Sequence, residues 1–429
     1  MPRRRLWIGI FLFCLSMINY MDRIALSIAA KPVAEEFGLS SVAMGYLFSS
    51  FVWGYTLFLL PMGFLVDRVG AKRMAGWGIL VWSVATAFTG AAWNFASILS
   101  ARLVMGAGES TSNPVTGKVV REWIPTSERG VFTAISNSGS YAGPAVCSIL
   151  FAALIGVVGW RWSFVIAGGI GLLWLVAWLV WFGDPEKVSW LSEQEREKIL
   201  NERAEKGARK ELPAQQPTGG LLTMLAAPTL WGIALTQGCN VYTQYLFLTW
   251  LPSYLQATKH LTILKTGIFT AVPYAAAVVL CILFGRLSDA YLKAGGVTGG
   301  RRRNLVALAL MLASVILVVP MVDDIGLLVA IFALSLTGIA TTTSLNFSLL
   351  NDLLAEPRNI GKAMAFVVVG GNVFGLLAPI VTGYVIQATG NYDWAFLIAG
   401  LLLVSGATII LTMTRRPITA EVKPALAAA

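Results

Sequence analysis

Apolar runs of about 20 residues recur along nearly the whole chain, each long enough to cross a ~30 Å hydrocarbon core at 1.5 Å per residue. Divided at Gly, Pro and charged positions, they place spans near 7–30, 41–66, 74–94, 96–120, 130–156, 161–183, 224–256, 266–290, 303–321, 325–351, 360–388 and 393–414. The pattern predicts an all-α polytopic membrane protein with twelve transmembrane helices. One long polar segment, from Asp184 to about Gly220, interrupts it and divides the chain into 1–183, a loop over 184–220, and 221–429. In that loop Ser192 and Glu195 stand at the spacing of a capping box, so a short surface helix is expected through Arg209, ended by Pro213 and Pro217.

Composition narrows the class. Of 429 residues, 56% are hydrophobic and 13% charged, against roughly 25% charged in soluble domains, which excludes a soluble multidomain enzyme. A net charge of +10 does not point to nucleic acid, because the basic residues lie in short clusters between apolar runs. The clusters fall at the N-terminus (Arg3, Arg4, Arg5), in the even-numbered loops and at the C-terminus (Arg415, Arg416, Lys423), with Lys31, Arg161, Lys259 and Lys265 opposite. The positive-inside rule then puts both termini in the cytoplasm, in keeping with an even number of spans. The first apolar run has no small-residue cleavage site after it and is expected to stay as a span; a bacterial inner membrane is the expected location.

Cys14, Cys147, Cys239 and Cys281 lie in apolar stretches at neither disulfide nor metal spacing. With no P-loop, zinc or nucleophile motif, no metal or organic cofactor is expected, and ATP-driven transport and membrane catalysis lack support. His260, the only histidine, falls in a polar loop and is expected to be solvated.

The two halves echo each other. Gly63-Phe-Leu-Val-Asp67-Arg68 recurs as Gly285-Arg-Leu-Ser-Asp289, each before a basic cluster, and Trp162-Ser-Phe-Val-Ile-Ala-Gly168 recurs as Trp394-Ala-Phe-Leu-Ile-Ala-Gly400. At that second offset Gly139 and Gly143 fall on Gly371 and Gly375. Repeats of this kind imply two similar bundles with a site between them. The run Gly63-Phe-Leu-Val-Asp67-Arg68-Val-Gly70-Ala-Lys72-Arg73 resembles the loop motif of the major facilitator superfamily between spans two and three. The resemblance covers essentially the whole chain and implies two pseudo-symmetric six-helix bundles and a monomer.

Charges inside apolar runs carry the chemistry, because each costs about 2.5–3.5 kcal/mol to insert. Asp22 and Arg23 lie in the first span, and Arg102 and Glu109 in the fourth, seven residues and so two turns or ~10 Å apart on one face. Two guanidinium groups in a low-dielectric cavity make an anion site, since the fork stays charged and matches a carboxylate. Two carboxylates beside them can take up protons, and an arginine shared between carboxylate and substrate links the two events. A structural ion-pair network is the alternative for the same four residues.

The Asn19-Tyr20-x-Asp22-Arg23 opening, Arg102 with Glu109, and Pro185…Trp190-Leu-Ser192-x-x-Glu195-Arg196 resemble the anion:cation symporter branch of that superfamily. The branch includes bacterial sugar-acid transporters and animal sialic-acid and vesicular glutamate transporters. The resemblance implies that Asp22 and Glu109 bind coupling protons while Arg23 and Arg102 serve the substrate carboxylate or the gates. Tyr20, Tyr46, Tyr55, Asn137, Gln244, Tyr245, Asn346 and Asn372 are candidates to read the rest of a hydroxylated substrate, Tyr55 and Asn372 foremost because they lie mid-span beside small residues. Asp67, Arg68, Arg73 and Asp289 sit at helix ends as candidate gate residues, whose ion pairs would break on opening.

The expected function is proton-coupled uptake of a small organic anion, a sugar acid or related carboxylate, by alternating access in a lipid bilayer. A proton-antiport exporter of drugs or metabolites is the alternative within the same fold, and an intramembrane enzyme or a receptor the alternative outside it.

Overall fold

A computed structural model describes residues 5–125, 128–210, 224–295, 299–355 and 359–418, with side chains at 202–210, 289, 293–295 and 299 excepted. Arg3, Arg4, Pro213, Pro217 and Lys423, and the side chains of Arg209 and Asp289, lie outside the described residues. The described chain is helical almost throughout: α1 Leu6–Ile28, α2 Ala30–Phe37, α3 Ser41–Val69, α4 Ala71–Gly90, α5 Phe95–Glu109, α6 Ser112–Trp123, α7 Arg129–Trp181 and α8 Glu193–Lys210. It continues with α9 Pro228–Ala257, α10 Ile263–Gly295, α11 Gly299–Ala313, a 3-10 segment Ser314–Met321, α12 Ile325–Leu353, α13 Ile360–Thr389 and α14 Asp393–Met413. Seven of these helices, and α11 taken together with its 3-10 continuation, are long and apolar enough to cross a membrane; α4, α9 and the α5–α6 pair, at the expected third, seventh and fourth spans, are shorter or more polar.

Local sequence sets the breaks. Ser40 accepts the Ala43 amide at the start of α3, and Asn94 with Ser97 forms a reciprocal capping box at the start of α5. With 53 residues, α7 is about twice the length of one crossing, and it turns back at Gly159, whose φ of 77° and ψ of 166° suit a residue without Cβ. The expected spans 130–156 and 161–183 are therefore the two arms of α7. The expected span 96–120 is not one helix: it breaks at Ser110 and Thr111, whose hydroxyls bond back to the Ala107 and Gly108 carbonyls, while Pro114 supplies no amide to the preceding turn. The expected span 303–321 likewise changes from α to 3-10 geometry at Ser314, six residues before Pro320. Of the capping box expected to open α8, one half is present: Ser192 Oγ accepts the Glu195 amide at 3.4 Å, and the Ser192 hydroxyl donates to Glu195 Oε2 at 3.3 Å.

The chain forms two compact units. The first comprises Met1–Pro213 with Leu248–Ala275 and Pro379–Ala388. Inside it α1 and α4 pack on α7, and α3 packs on α5. Small residues allow the close approach that lipid-embedded helices rely on. Gly139 and Gly143 of α7 lie against the α1 backbone at Phe13 and Met17, and Gly54 and Gly106 bring the α3 and α5 backbones together. Ends of α9, α10 and α13 complete this unit. Ser27 donates to the Leu248 carbonyl at 2.6 Å, Trp250 to the Pro379 carbonyl at 3.1 Å, and Phe48 meets Trp250 edge-on at 5.1 Å. The second unit comprises Ala214–Phe247, Ala276–Ala378 and Thr389–Ala429, in which α11 packs on α12 and α14. There Gly371 and Gly375 of α13 lie against Gln237, Val241 and Tyr245 of α9.

Candidate functional site

The four charges that interrupt the first and fourth apolar runs come together in the first unit, all buried: Asp22 and Arg23 on α1, Arg102 and Glu109 on α5. Arg23 Nε donates to Glu109 Oε2 at 2.9 Å, and Arg23 Nη2 donates to Asn19 Oδ1 at 2.7 Å, one turn back on the same helix. The guanidinium lies over three aromatic rings, 4.4 Å from the Tyr20 centroid, 4.5 Å from Phe51 and 5.1 Å from Tyr55. A planar cation can stack and donate at once, so one carboxylate and the ring faces stabilise it together.

Arg102 does not turn toward Glu109, its neighbour two turns along the helix. Its Nη1 donates to the Asp22 backbone carbonyl at 3.2 Å, and its guanidinium lies 5.5 Å from the Phe51 ring. Asp22 itself is 1% exposed, and neither carboxylate oxygen accepts a hydrogen bond among the described residues; Thr86 faces it without closing one. Asp22 is within electrostatic reach of Arg102, Arg23 and Glu109. Glu109 Oε1 is likewise without a hydrogen bond, although Oε2 is paired. The cluster thus holds one tight ion pair and one carboxyl group that no donor among the described residues satisfies.

A polar chain leads away from it. The Tyr55 hydroxyl accepts from Asn113 Nδ2 at 2.7 Å, and Asn19 Nδ2 donates to Ser112 Oγ at 3.0 Å, which ties the start of α6 to the charged cluster. Asn113 also lines a cavity of about 380 Å³ with Asn137, Arg121 and Arg129. Asn137 is exposed there, and Tyr20 is half-buried under Arg23. Tyr46 is placed elsewhere in the unit, its hydroxyl 3.4 Å from that of Tyr384.

The candidates in the second unit are described separately. Asn346 is fully buried and donates to the Ile233 carbonyl at 3.1 Å and to Gln237 Oε1 at 3.0 Å, a bond set that locks α12 to α9. Tyr245 is buried against Gly375, Gln244 is half-buried, and Asn372 is 9% exposed with its Nδ2 without an acceptor among the described residues.

Among the candidate gate residues, Asp67 pairs with Arg121 at 3.4 Å, both well exposed, while Lys118 caps the end of α3 at the Val66 and Asp67 carbonyls. Arg68 and Arg73 are exposed and make no ion pair among the described residues. Sequence reasoning missed Phe51, Thr86, Asn113 and Arg121, and quoted Asn19 in the opening motif without giving it a role. Asn113 stands four residues after Glu109, across the break between α5 and α6, so helix spacing gave no signal for it. At the other end of the unit Glu36 accepts from Arg161 at 2.6 Å and from the Trp160 indole at 2.8 Å, and the Arg161 bond holds the Glu36 carboxyl below its ordinary range.

Comparison with known proteins shows the family and the fold. The model of the Major Facilitator Superfamily matches residues 12–356 and again 299–428. The chain is 31% identical to the D-galactonate transporter of Escherichia coli, over 95% of each chain. It is 32% identical to the probable galactarate/D-glucarate transporter of Bacillus subtilis, over 92% of this chain and 88% of that one. Among solved structures, a bacterial homolog of the human lysosomal transporter Spinster matches with a TM-score of 0.74 at 18% identity, covering 99% of this chain and all of that one. The xylose transporter XylE of E. coli matches with a TM-score of 0.72 at 15% identity, over 95% and 96% of the two chains. With an all-helical fold, two units and a buried charged cluster shared by α1 and α5, the chain belongs to the Major Facilitator Superfamily and is a multi-pass membrane transporter.

Proposed function

We propose that this transporter takes up a sugar acid together with protons, by alternating access of the halves 1–183 and 221–429, in a bacterial inner membrane with both termini cytoplasmic. One observation carries the reading: a buried arginine is committed to a buried carboxylate, while a second carboxyl group beside them has no donor among the described residues. An uncompensated buried carboxylate is costly, and a proton is the smallest ligand that removes its charge. Protonation of Glu109 releases the Arg23 guanidinium, whose fork then donates to the substrate carboxylate in place of Glu109. Substrate and proton therefore favour each other's binding, which is what symport needs.

Arg102, held against the α1 backbone beside Asp22, couples the second carboxyl group to the same event. Tyr20 and Tyr55 supply ring faces and hydroxyls suited to a polyhydroxylated chain, and the cavity at Asn113 and Asn137 offers a polar route from the cluster. Gln244 and Asn372 are the neutral groups assigned to the remaining hydroxyls. Asp67 with Arg121, and Arg68 next to Asp67 on α3, are assigned to the gate at the basic end of the first unit, and Asp289 to the matching position of the second repeat. The similar galactonate and galactarate/D-glucarate transporters support the substrate class.

Uptake into proteoliposomes with an acid exterior tests the proposal, using D-galactonate and D-glucarate. Wild-type protein should accumulate at least one of them uphill, and Glu109→Gln should lose accumulation while keeping counterflow exchange. Unchanged accumulation by the variant would contradict the coupling role. Efflux of lipophilic cations with no carboxylate uptake would favour the exporter.

A further inference from the structure

A cavity of about 690 Å³ lies away from the charged cluster, where the ends of α3, α6 and α7 meet the start of α4. Its size is within the roughly 300–1,000 Å³ of ligand sites. Lys72, Arg73, Lys118 and Lys187 line it, against two acidic residues, Glu122 and Asp184, so the lining carries an excess of two positive charges. The four cations are not equivalent. Lys118 is turned inward onto the Val66 and Asp67 carbonyls, and Lys187 lies 3.8 Å from Asp184. The side chains of Lys72 and Arg73 make no hydrogen bond or ion pair among the described residues. The first turn of α4, which also lines the cavity, has no side-chain cap.

The rim decides what kind of anion fits. Trp181 and Trp190 stack at 4.1 Å along one wall, and the Trp190 indole donates to the Trp181 carbonyl, which fixes the pair in place. Paired indoles beside lysines mark the headgroup level of a bilayer. From there an exposed apolar track runs toward the membrane interior: Val180 is 81% exposed, and Val176 and Leu173, one and two turns further along α7, are 60% and 72% exposed. Trp77 on α4, one turn beyond Arg73, is 63% exposed. A soluble anion would use the cations and leave the track bare, whereas a phospholipid would fill both.

We propose that this cavity holds the headgroup of an anionic phospholipid from the leaflet on the side of the basic loops, with Lys72 and Arg73 as its phosphate ligands and an acyl chain along Val180, Val176 and Leu173. A basic pocket between membrane helices is the chemistry that anionic headgroups recognise. The site is separate from the Arg23–Glu109 pair and takes no part in substrate binding.

Native mass spectrometry of the purified full chain tests it, with phosphatidylglycerol and phosphatidylcholine of matched acyl chains added to the detergent. Wild-type protein should retain phosphatidylglycerol in preference to phosphatidylcholine, and Lys72→Gln with Arg73→Gln should weaken that retention roughly thirtyfold. The single variant Lys187→Gln, at an exposed position, should lower retention by a smaller factor, so a folding defect in the double variant does not decide the result. Equal retention of the two lipids, or equal retention of phosphatidylglycerol by wild type and both variants, would overturn the proposal. A rise in melting temperature with inorganic phosphate as large as that with phosphatidylglycerol would also overturn it, because it would assign the cavity to a soluble anion.

Discussion

The two units solve the problem of polar groups in an apolar interior differently. Among its described residues the first buries two acids and three arginines; Arg23 pairs with Glu109 at 2.9 Å, and the Asp22 carboxyl group accepts no hydrogen bond. The second, built on the same repeat, buries amides and hydroxyls: Asn346 bonds to Ile233 and Gln237, and Asn240 bonds to the Ile339 carbonyl and to Thr343. An amide network is fixed whatever the proton concentration, whereas a carboxylate network changes its charge when a proton binds. In the proposed mechanism, proton coupling therefore belongs to the first unit, and the second holds shape and recognises neutral groups.

The comparison breaks most readily at its charged side. Arg23→Lys keeps the charge but loses the planar fork, the Asn19 bond and the ring stacking, so uptake should fall by about 10- to 100-fold, the equivalent of one or two charge-assisted hydrogen bonds. Kinetics of uptake in proteoliposomes would check this, and an Arg23→Lys variant with wild-type uptake would show that the pair is only structural. On the neutral side, Asn346→Ala strands Gln237 Oε1 and the Ile233 carbonyl and should cost about 1–3 kcal/mol of stability, measured by thermal or denaturant unfolding. It should leave the pH dependence of uptake unchanged, which sharpens the division of labour between the units.

Smaller effects belong to the exposed ion pairs. Asp67→Asn removes a pair at 3.4 Å between two largely exposed groups and should change stability by no more than about 1 kcal/mol, with any transport effect appearing as a change in turnover. Glu36 bound to Arg161 gives the smallest effect. Because Arg161 depresses the Glu36 carboxyl from its ordinary 4.5, the contact stabilises the fold above that value and is lost as pH falls through the depressed one. Melting temperature against pH should therefore flatten at the acid end in Glu36→Gln, and an unchanged acid limb would show that the contact carries no stability.

The charged cluster was legible because Asp22, Arg23, Arg102 and Glu109 stand inside runs where nearly every neighbour is apolar. Their pairing was not. Spacing put Arg102 and Glu109 on one face of one helix, yet Glu109 chose Arg23 of α1, since two turns along a helix is too far for contact and a neighbouring helix is not. The same limit hid Arg121, which is 54 positions from Asp67 along the chain and 3.4 Å from it in space. Hydrophobic runs located the helices well, but not the break after Glu109. Its signal lay in Ser110, Thr111 and Pro114, three residues that a hydropathy pattern counts as merely less apolar. Asn346 was legible as a polar residue in a span, while its role needed the partners on α9, because a buried amide serves packing as readily as ligand.

The central claim is that the carboxyl groups beside Arg23 take up protons as substrate takes over the arginine. Purified protein in weak buffer, with a pH indicator dye, measures this directly when D-galactonate or D-glucarate is added under conditions where it binds. Wild-type protein should draw protons from solution on binding, Glu109→Gln should draw fewer, and Asp22→Asn with Glu109→Gln none. Binding with no proton uptake by the wild type, or uptake undiminished in the double variant, would contradict the account.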